Sequence, residues 1–422
     1  MLAVTETEVY IHIPFCARKC AYCDFLSAPA DSAEQRQYVD MLLEEIRGTW
    51  LSVPVCTVFI GGGTPSVLPA EWIAEILGVL RECYTVREDA EITIEANPGT
   101  VDAEKLRLYR EAGINRISFG CQSFRDGELR LLGRIHTRED ILKSVALARE
   151  AGFTNINLDL ISGIPGQTLE DWEDDLRQAA ALEPEHISAY SLILEEGTPL
   201  YERYNGSEEN GPPLPDEETE RRMYDRTREV LAEYGFRRYE ISNYAKEGRT
   251  CRHNIGYWTG VPYAGFGLGA ASFLPSSIVQ YGWETNEEDA YRDEMMAYDD
   301  GMTGYADELP EEGAEESGEP KWLRYSNTDR MLAYSAGVYE HVGLQVLKQK
   351  DLEAEFMILG LRMTDGVEDA EFERRFGRPL DLIYGRILEK YEKQGLLIRK
   401  DGRTRLSERG LSVSNPIMAD FL

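Results

Sequence analysis

The sequence predicts an α/β protein, a partial parallel (β/α)6 barrel followed by a smaller C-terminal α/β domain that is winged-helix-like. In the first half of the chain, six short runs rich in β-branched residues alternate with amphipathic stretches long enough for right-handed crossovers. After residue 355, a helix–turn–helix pattern precedes a charged hairpin around Asp401 and Gly402. A chain of 422 residues is long enough for two such domains.

The expected barrel consists of six β/α units in a row. The expected strands are residues 9–13, 55–60, 91–95, 116–119, 155–160 and 186–192. The amphipathic segments between them are residues 33–47, 71–81, 103–112, 139–151 and 169–181. Consecutive units of this kind favour a parallel barrel or a doubly wound sheet. In a barrel, side chains that directly follow the strands converge at the C-terminal face, so residues distant in sequence are expected to form one site.

Changes in composition divide the whole chain into four segments. We expect a core barrel over residues 1–210, a linking segment over 211–283, an acidic insertion over 284–323 and a C-terminal domain over 324–422. The stretch 254–283 has no charged residue and is rich in glycine, which favours a buried packing segment or, alternatively, a binding surface. The insertion has low hydrophobicity and strong self-repulsion, so we expect it to be disordered, with a docking tail as the alternative.

Charge and hydropathy exclude several classes of protein. Forty-five basic and 76 acidic residues give a formal net charge of −31, which disfavours binding to nucleic acid. No run approaches the roughly 20 apolar residues of a membrane helix, and the first ten residues lack the features of a signal peptide. We therefore expect a cytoplasmic protein. The C-terminal helices lack a basic stripe, so a packing role is favoured over DNA binding.

Three of the seven cysteines are clustered. Cys16, Cys20 and Cys23 have the spacing C-x3-C-x2-C in a loop directly after the first expected strand. Thiolates are the usual ligands of iron–sulfur clusters, and three protein ligands on a 4Fe–4S cluster leave one iron open. The alternative is a zinc site with His12 as a fourth ligand. For the scattered cysteines, the favoured interpretation is a small buried hydrophobic residue. These are Cys56, Cys83, Cys121 and Cys251.

A family resemblance extends this interpretation. The motif Tyr10-x-His12-Ile13-Pro14-Phe15-Cys16, followed by Cys20, Tyr22 and Cys23, resembles the signature of radical S-adenosylmethionine (SAM) proteins related to oxygen-independent coproporphyrinogen III oxidase. The resemblance implies a radical SAM barrel in which the amine and carboxylate of SAM chelate the open iron. It also implies a set of cofactor-binding residues. They are Tyr10, Tyr22, Gly62, Gly63, Thr64, Glu95, Gln122, Arg134 and Asp159.

The residue types suit these implied roles. Glycines 61 to 63 allow the backbone to approach the methionyl amine closely, and Thr64 adds a hydroxyl. Glu95 resembles an acid that accepts hydrogen bonds from the ribose hydroxyls, and Arg134 suits a carboxylate. Each residue also has an alternative role. The glycines can form a simple turn, Glu95 and Asp159 can cap loops, and Arg134 can be a solvated helix charge.

Three departures indicate a particular branch. Phe25 stands where coproporphyrinogen oxidases have a fourth cysteine, and only 15 residues precede Cys16. The motif His253-Asn254-x-x-Tyr257-Trp258 resembles the haem-binding pattern of the HemW-type haem chaperone branch. The resemblance implies that His253 ligates haem iron, with Cys251 as second choice, and that Tyr257 and Trp258 cover the porphyrin. The alternative for His253 is a satisfied core histidine.

The leading expectation is a haem chaperone that carries a SAM-coordinated 4Fe–4S cluster and delivers haem to acceptor haemoproteins. Transient membrane association and a homodimer are further expectations, and no catalytic residue is assigned. Two enzyme hypotheses stay open beside it. One is an oxygen-independent coproporphyrinogen III oxidase, which decarboxylates two propionates, and the other is a radical SAM enzyme that modifies a tetrapyrrole.

Overall fold

The computed structural model describes residues 4–205, 211–281 and 321–422. The expected disordered insertion therefore lies almost wholly outside the described residues. The described strands are β1 (Thr7–Ile13), β2 (Thr49–Leu51), β3 (Val55–Gly62), β4 (Val86–Ala96), β5 (Arg116–Gln122), β6 (Ile156–Ser162), β7 (His186–Ser191), β8 (Arg237–Arg238), β9 (Asn243–Ala245), β10 (Tyr263–Phe266), β11 (Ala271–Pro275), β12 (Val279–Tyr281), β13 (Trp322–Asn327), β14 (His341–Leu347), β15 (Val367–Glu368), β16 (Leu397–Lys400) and β17 (Arg403–Leu406).

Helices cover the outer face of the parallel strands and build the C-terminal domain. Those of the first 281 residues are α1 (Ser32–Gly48), α2 (Ala70–Cys83), α3 (Ala103–Glu111), α4 (Asp126–Leu131), α5 (Arg138–Glu150), α6 (Leu169–Ala181), α7 (Pro199–Tyr204), α8 (Glu217–Glu233) and α9 (Arg252–Thr259). After residue 320 follow α10 (Met331–Ser335), α11 (Gln349–Gly360), α12 (Asp369–Phe376), α13 (Leu380–Lys393), α14 (Glu408–Leu411) and α15 (Ser414–Ala419).

The six expected β/α units are confirmed. Strands β1, β3, β4, β5, β6 and β7 are neighbours in this order and pair in parallel. Strand β1 has one face toward the outer helices and one face toward the barrel interior. Val9, Ile11 and Ile13 are fully buried in the core under the helices, whereas Tyr10 and His12 alternate with them and face the barrel interior.

Helix starts agree with local sequence signals. Capping boxes begin three of the outer helices, because a side chain at the cap and another three residues later satisfy free backbone N–H groups. The pairs are Asp31 with Glu34 at α1, Thr137 with Asp140 at α5, and Thr168 with Asp171 at α6.

The sheet continues beyond the six expected strands. Strand β10 adds a seventh parallel strand beside β1, and β11, β13 and β14 extend the same sheet by antiparallel pairing. The uncharged stretch after Asn254 thus forms part of the central sheet. Gly267 lies beyond β10 with a φ of +98°, and a Cβ there would overlap the Tyr38 hydroxyl, so this close approach requires glycine.

The C-terminal segment has a hydrophobic core of its own, built around Met357, Phe372 and Leu388. Strands β16 and β17 form the expected hairpin, and β15 completes a three-stranded sheet. The order of helices followed by a hairpin confirms the winged-helix-like expectation. Nowhere in the described ranges does a helix have the length and apolar character needed to cross a bilayer.

Candidate functional site

The cysteine loop lies against the loop that follows β3. Thr64 N–H donates to Phe15 O over 2.7 Å, and the Cys16 Sγ lies 3.4 Å from the Thr64 hydroxyl oxygen. On the other side of the loop, Arg134 Nη1 lies 3.5 Å from Cys20 Sγ. The ends of β1 and β3 and the loop after α4 therefore hold the cysteine loop from both sides.

The three thiols of the cysteine loop are the expected ligands of the cluster. All three are free and partly exposed, and burial together with the charges of Cys20 and Cys16 raises the pKa of the Cys23 thiol. A bound metal ion deprotonates the thiol that coordinates it. Within the described part of the chain, no three His, Cys, Asp or Glu side chains form a group suited to one metal ion. Phe25 is 69% exposed beside the loop.

Glycine is required at two positions of the loop after β3. Gly62 has a φ of +109°, and a Cβ there would lie 2.5 Å from the His12 ring. A Cβ on Gly63 would lie 2.6 Å from Phe15 O. His12 cannot move aside freely, because its Nε2 is bonded to Leu26 O over 2.9 Å and its Nδ1 to the Tyr10 hydroxyl over 3.0 Å. Both glycines thus allow a close approach of two backbone segments.

Two acidic side chains, Glu95 and Asp159, interact electrostatically with each other. Glu95 accepts a hydrogen bond from Gly62 N–H over 3.2 Å, and burial with the charge of Asp159 raises the pKa of Glu95 to about 8. Asp159 accepts from the Ser118 hydroxyl and the Asn157 amide, each over 2.8 Å. Asp159 therefore has local donors, whereas the Glu95 carboxyl, mostly protonated at neutral pH, can donate its O–H to a ligand.

Asn97 is a site residue that follows an expected strand and to which sequence reasoning assigned no role. Its amide donates to the Thr64 hydroxyl over 2.8 Å, and its carbonyl oxygen accepts from Arg134 Nη2 over 2.5 Å. Arg134 also donates to Gly120 O over 2.6 Å. Asn97 thereby connects the side chains that touch Cys16 and Cys20. Its position two residues after Glu95, at a strand end, was the signal that could have identified it.

Gln122 and Tyr22, which are also expected to contact SAM, lie near Asn97 and Arg134. Gln122 is 8% exposed and has a φ of +68°, at an irregularity where β5 pairs with β6. Such a conformation is costly for a residue with a side chain and is typical of functional sites. Tyr22 interacts electrostatically with Arg134, Cys20 and Asp159, and burial raises its pKa. The expected residues on one barrel face are thus brought together, and their individual roles stay predictions.

The His253 motif lies at the opposite end of the strands. It belongs to α9, which begins where Glu91 accepts the His253 N–H over 3.2 Å. Thr57, the strand residue that contacts His253, is five residues before Gly62, which corresponds to roughly 16 Å along β3. The motif is therefore separated from the cysteine loop by the depth of the barrel.

His253 itself is enclosed. Its Nδ1 is 2.6 Å from the Thr57 hydroxyl oxygen, its Nε2 is 3.1 Å from the Tyr257 hydroxyl oxygen, and the residue is 1% exposed. Burial and the charge of Arg116 lower the pKa of His253 to about 3, so the imidazole is neutral. Neither ring nitrogen is free in this arrangement, and Cys251 is fully buried. Iron ligation by either residue stays a prediction.

A cavity of about 1200 Å³ is lined by Tyr10 and His12 of β1 and by Tyr257 and Trp258 of α9. It lies between the inner faces of β1, β10, β11 and β13 and the helices α11 and α12. Its aromatic walls include Tyr10, Tyr257, Trp258, Tyr263, Phe273, Trp322, Phe356 and Phe376. Three arginines also line it, namely Arg324, Arg374 and Arg375, beside only two carboxylates, Glu6 and Glu355. The arginines are paired with Glu355 and Glu371, so the aromatic walls are what favours a large, flat, apolar ligand.

Behind the cavity wall, Glu8 is a buried acid with an unusual environment. The residue is 1% exposed, its Oε2 lacks a hydrogen-bond partner among the described residues, and it lies 3.7 Å from His253 Nδ1. Burial raises the pKa of Glu8 to about 9, although the hydrogen bond with Thr57 acts to lower it. The carboxyl is therefore protonated at neutral pH.

Replacing Glu8 by glutamine is expected to weaken the pH dependence of stability. Between the ordinary pKa of 4.5 and about 9, the folded chain keeps a proton that the unfolded chain has released. Stability therefore falls as pH rises through this window, by up to about 1.4 kcal/mol per pH unit. Urea unfolding at about pH 5.5 and about pH 8.5 measures the effect, with exposed Glu44→Gln as control. The same pH slope in Glu8→Gln and wild type would contradict the assignment.

Comparisons with known proteins agree with this architecture. A model of the radical SAM superfamily matches residues 10–179, and a model of the HemN C-terminal domain matches residues 347–413. A solved structure of the coproporphyrinogen III oxidase HemN from Escherichia coli matches 99% of this chain and 90% of its own, with a TM-score of 0.75 and 21% identity. This likeness shows a shared fold and confirms the expected fold class.

Sequence relatives identify the branch. A protein named heme chaperone HemW from Bacillus subtilis (strain 168) is 34% identical over 420 residues, which cover 98% of this chain and 99% of the relative. A protein of the same name from Escherichia coli (strain K12) is 40% identical over 274 residues, 64% of this chain and 71% of the relative. Membership of the radical SAM superfamily implies a 4Fe–4S cluster and SAM as cofactors. The chain therefore belongs to the HemW heme chaperone family of radical SAM proteins.

Proposed function

We propose that this protein is a haem chaperone, which binds haem in the cavity between the sheet and the C-terminal helices and delivers it to acceptor haemoproteins. The observation that carries the proposal is the cavity itself. It is large and has aromatic walls that include Tyr257 and Trp258. The three arginines of its lining are paired with Glu355 and Glu371, and they would exchange these partners to bind the propionates of haem. The names of the relatives support the same function.

The cluster and SAM belong to the proposal as a separate site at the C-terminal ends of the strands. Cys16, Cys20 and Cys23 would hold three irons, and SAM on the fourth iron would lie near Glu95 and Gly62. A bound cluster supplies one-electron chemistry. The cavity is lined by Tyr10 and His12 and thus begins beside the cysteine loop, so both ligands would share one barrel.

Haem titration is the test of this function. We expect the full-length protein to bind one haem per chain, with an affinity that Ala271→Trp lowers by at least about tenfold because the larger side chain fills the cavity. Ala33→Trp, an exposed substitution on α1, is the matched control. Equal haem affinities of the two variants would show that haem does not bind in this cavity. Conversion of coproporphyrinogen III to protoporphyrinogen by the cluster-loaded protein with SAM and a reductant would replace it by an enzyme function.

The proposed partners are haem and acceptor haemoproteins, and the proposed place of work is the cytoplasm with transient contact to a membrane. A homodimer is also part of the proposal. Strand β14 supports it, because this strand pairs only with β13 among the described residues, and Val342 and Val346 on it are about half exposed. An exposed apolar edge strand of this kind pairs readily with another chain.

The division of the chain into segments that end at residues 210, 283 and 323 likewise stays a proposal.

A further inference from the structure

The barrel interior contains a layer of buried polar side chains on the N-terminal side of the expected SAM contacts. Ser118 of β5, Asn157 of β6 and His186 of β7 are paired neighbours across the three strands. Each of them is at most 3% exposed. Asp159 lies two residues after Asn157, so it projects from the same face of β6, one step nearer the C-terminal end of the strand. The layer therefore lies directly beneath an acid that is expected to contact SAM.

The side-chain amide of Asn157 is bonded at both ends. Its nitrogen lies 2.8 Å from Asp159 Oδ1 and 2.7 Å from Ser118 Oγ, which itself donates to Asp159 Oδ2 over 2.8 Å. Its oxygen lies 2.6 Å from His186 Nδ1 and 3.2 Å from Ser188 Oγ. The two ends of an amide have almost the same shape, so only these partners decide its orientation. The reverse orientation would place the amide oxygen against the Asp159 carboxylate.

The orientation of this amide fixes the tautomer of His186. The Asn157 oxygen can only accept, so His186 Nδ1 carries the proton. Burial and the charge of Arg116 hold the pKa of His186 well below its ordinary value, so the ring is neutral and its Nε2 is an acceptor. The Tyr239 hydroxyl lies 2.9 Å from this Nε2 and donates to it. Tyr239 in turn accepts the backbone N–H of Cys251, the residue before α9, over 3.3 Å.

These contacts form a series of hydrogen bonds in which every donor points toward Asp159. The series runs from the Cys251 N–H through Tyr239, His186 and Asn157 to the carboxylate. Aligned hydrogen bonds polarise one another in a buried site, so the series holds the carboxylate in one orientation. The Asn157 amide is the element with two possible states. Without the N–H of His186 Nδ1, the amide can turn over, and its oxygen then repels the carboxylate.

We propose that His186 is a positioning residue for SAM binding, which acts through the Asn157 amide to hold the Asp159 carboxylate toward the cofactor. The inference rests on the proposed SAM site at the C-terminal ends of the strands. His186 is fully buried, so its effect on SAM has to pass through Asn157 and Asp159.

The first test is the affinity for SAM, measured by calorimetric titration of the full-length, cluster-loaded protein. His186→Asn and His186→Gln form a matched pair, because each supplies an amide at a different distance along the side chain. The shorter asparagine can place an N–H where Nδ1 lies, whereas the glutamine amide reaches the position of Nε2. We expect His186→Asn to bind SAM within about threefold of the wild type, and His186→Gln to bind it at least about tenfold more weakly.

Thr227→Val is the control for the loss of a buried polar group. Thr227 lies in α8, is 3% exposed, and its hydroxyl accepts the Trp172 indole N–H over 2.9 Å. Urea unfolding of all three variants measures stability separately from affinity. The control should bind SAM as the wild type does, even where it is less stable. A loss of SAM affinity equal to that of His186→Gln would make the effect a general consequence of destabilisation and would overturn the inference.

A second measurement requires neither SAM nor the cluster. The chain has five histidines, so labelling with ¹⁵N-histidine gives few ring signals in a nuclear magnetic resonance spectrum. The signals of His186 are those that disappear in His186→Asn or His186→Gln and shift in Tyr239→Phe, which removes the donor to Nε2. We expect the neutral ring with its proton on Nδ1. A proton on Nε2 would reverse the direction of the series and overturn the inference.

The outcomes separate the inference from the site on which it rests. Failure of the wild type to bind SAM overturns the proposed site and the inference with it. SAM binding by the wild type, with equal affinities in His186→Asn and His186→Gln, overturns the inference alone. Should either variant fail to fold, the tautomer of His186 in the wild type still decides.

Discussion

Cys20→Ser is expected to abolish assembly of the iron–sulfur cluster while the protein still folds. A hydroxyl replaces one of three thiolate ligands, and the Sγ that lies 3.5 Å from Arg134 Nη1 is lost. Changing a hydrogen-bond partner of a metal ligand lowers metal affinity roughly 10- to 100-fold, and loss of the ligand itself should lower it more. We therefore expect the iron and sulfide content of Cys20→Ser to fall below about a tenth of that of the wild type. Cys20 lies on a partly exposed loop, so circular dichroism should be unchanged.

The matched control for this experiment is Cys83→Ser. Cys83 is a free, partly exposed cysteine at the end of α2, with no part in the cysteine loop. It should retain the iron and sulfide content of the wild type after anaerobic reconstitution. A full cluster in Cys20→Ser, or an equal loss in both variants, would show that the cysteine loop is not the cluster site.

Gly62→Ala is expected to weaken both SAM binding and stability. The added methyl would meet the His12 ring at 2.5 Å, and the backbone φ of +109° is unfavourable for alanine. The hydrogen bonds at both nitrogens of His12 prevent the ring from turning away. Backbone strain and overpacking together should lower the free energy of unfolding by about 2–4 kcal/mol. Displacement of the loop should weaken SAM binding to the cluster-loaded protein by at least about tenfold.

Gly78→Ala controls for the general effect of a glycine-to-alanine change. Gly78 lies in α2, and nothing is within 4 Å of the position its Cβ would occupy. This variant should gain about 0.5–1 kcal/mol of stability, because alanine favours the helix, and it should bind SAM as the wild type does. Calorimetric titration with SAM and urea unfolding distinguish the two variants. Wild-type affinity in Gly62→Ala would mean that the loop does not contact SAM.

The elements of the barrel were predictable because their signals are local. In β1, side chains that pack under the helices alternate with side chains that face the barrel interior. This alternation and the capping boxes of α1, α5 and α6 depend on residues only a few positions apart. The same holds for the spacing of the three cysteines. Strand β10 was not predicted, because its pairing with β1 joins residues about 255 positions apart, for which the sequence carries no local signal.

The candidate site was predictable only in part. Residues at strand ends were expected to converge, since parallel strands share one C-terminal face. The role of Asn97 depends on two partners, Thr64 and Arg134, that are 33 and 37 residues away and approach it only in the folded chain. Sequence could therefore identify the group of residues and not the hydrogen bonds within it.

The sequence by itself determined the fold class, the family and the residues around the cysteine loop, because periodicity and motif spacing are properties of the linear chain. The tertiary structure alone decided how the haem motif is arranged. It enclosed His253 between Thr57 and Tyr257, residues 196 and four positions away, and it left Tyr257 and Trp258 in the cavity wall. The physical reason is that the accessibility of a side chain depends on every element packed around it. A motif specifies the donor atoms, and packing determines which of them a ligand can reach.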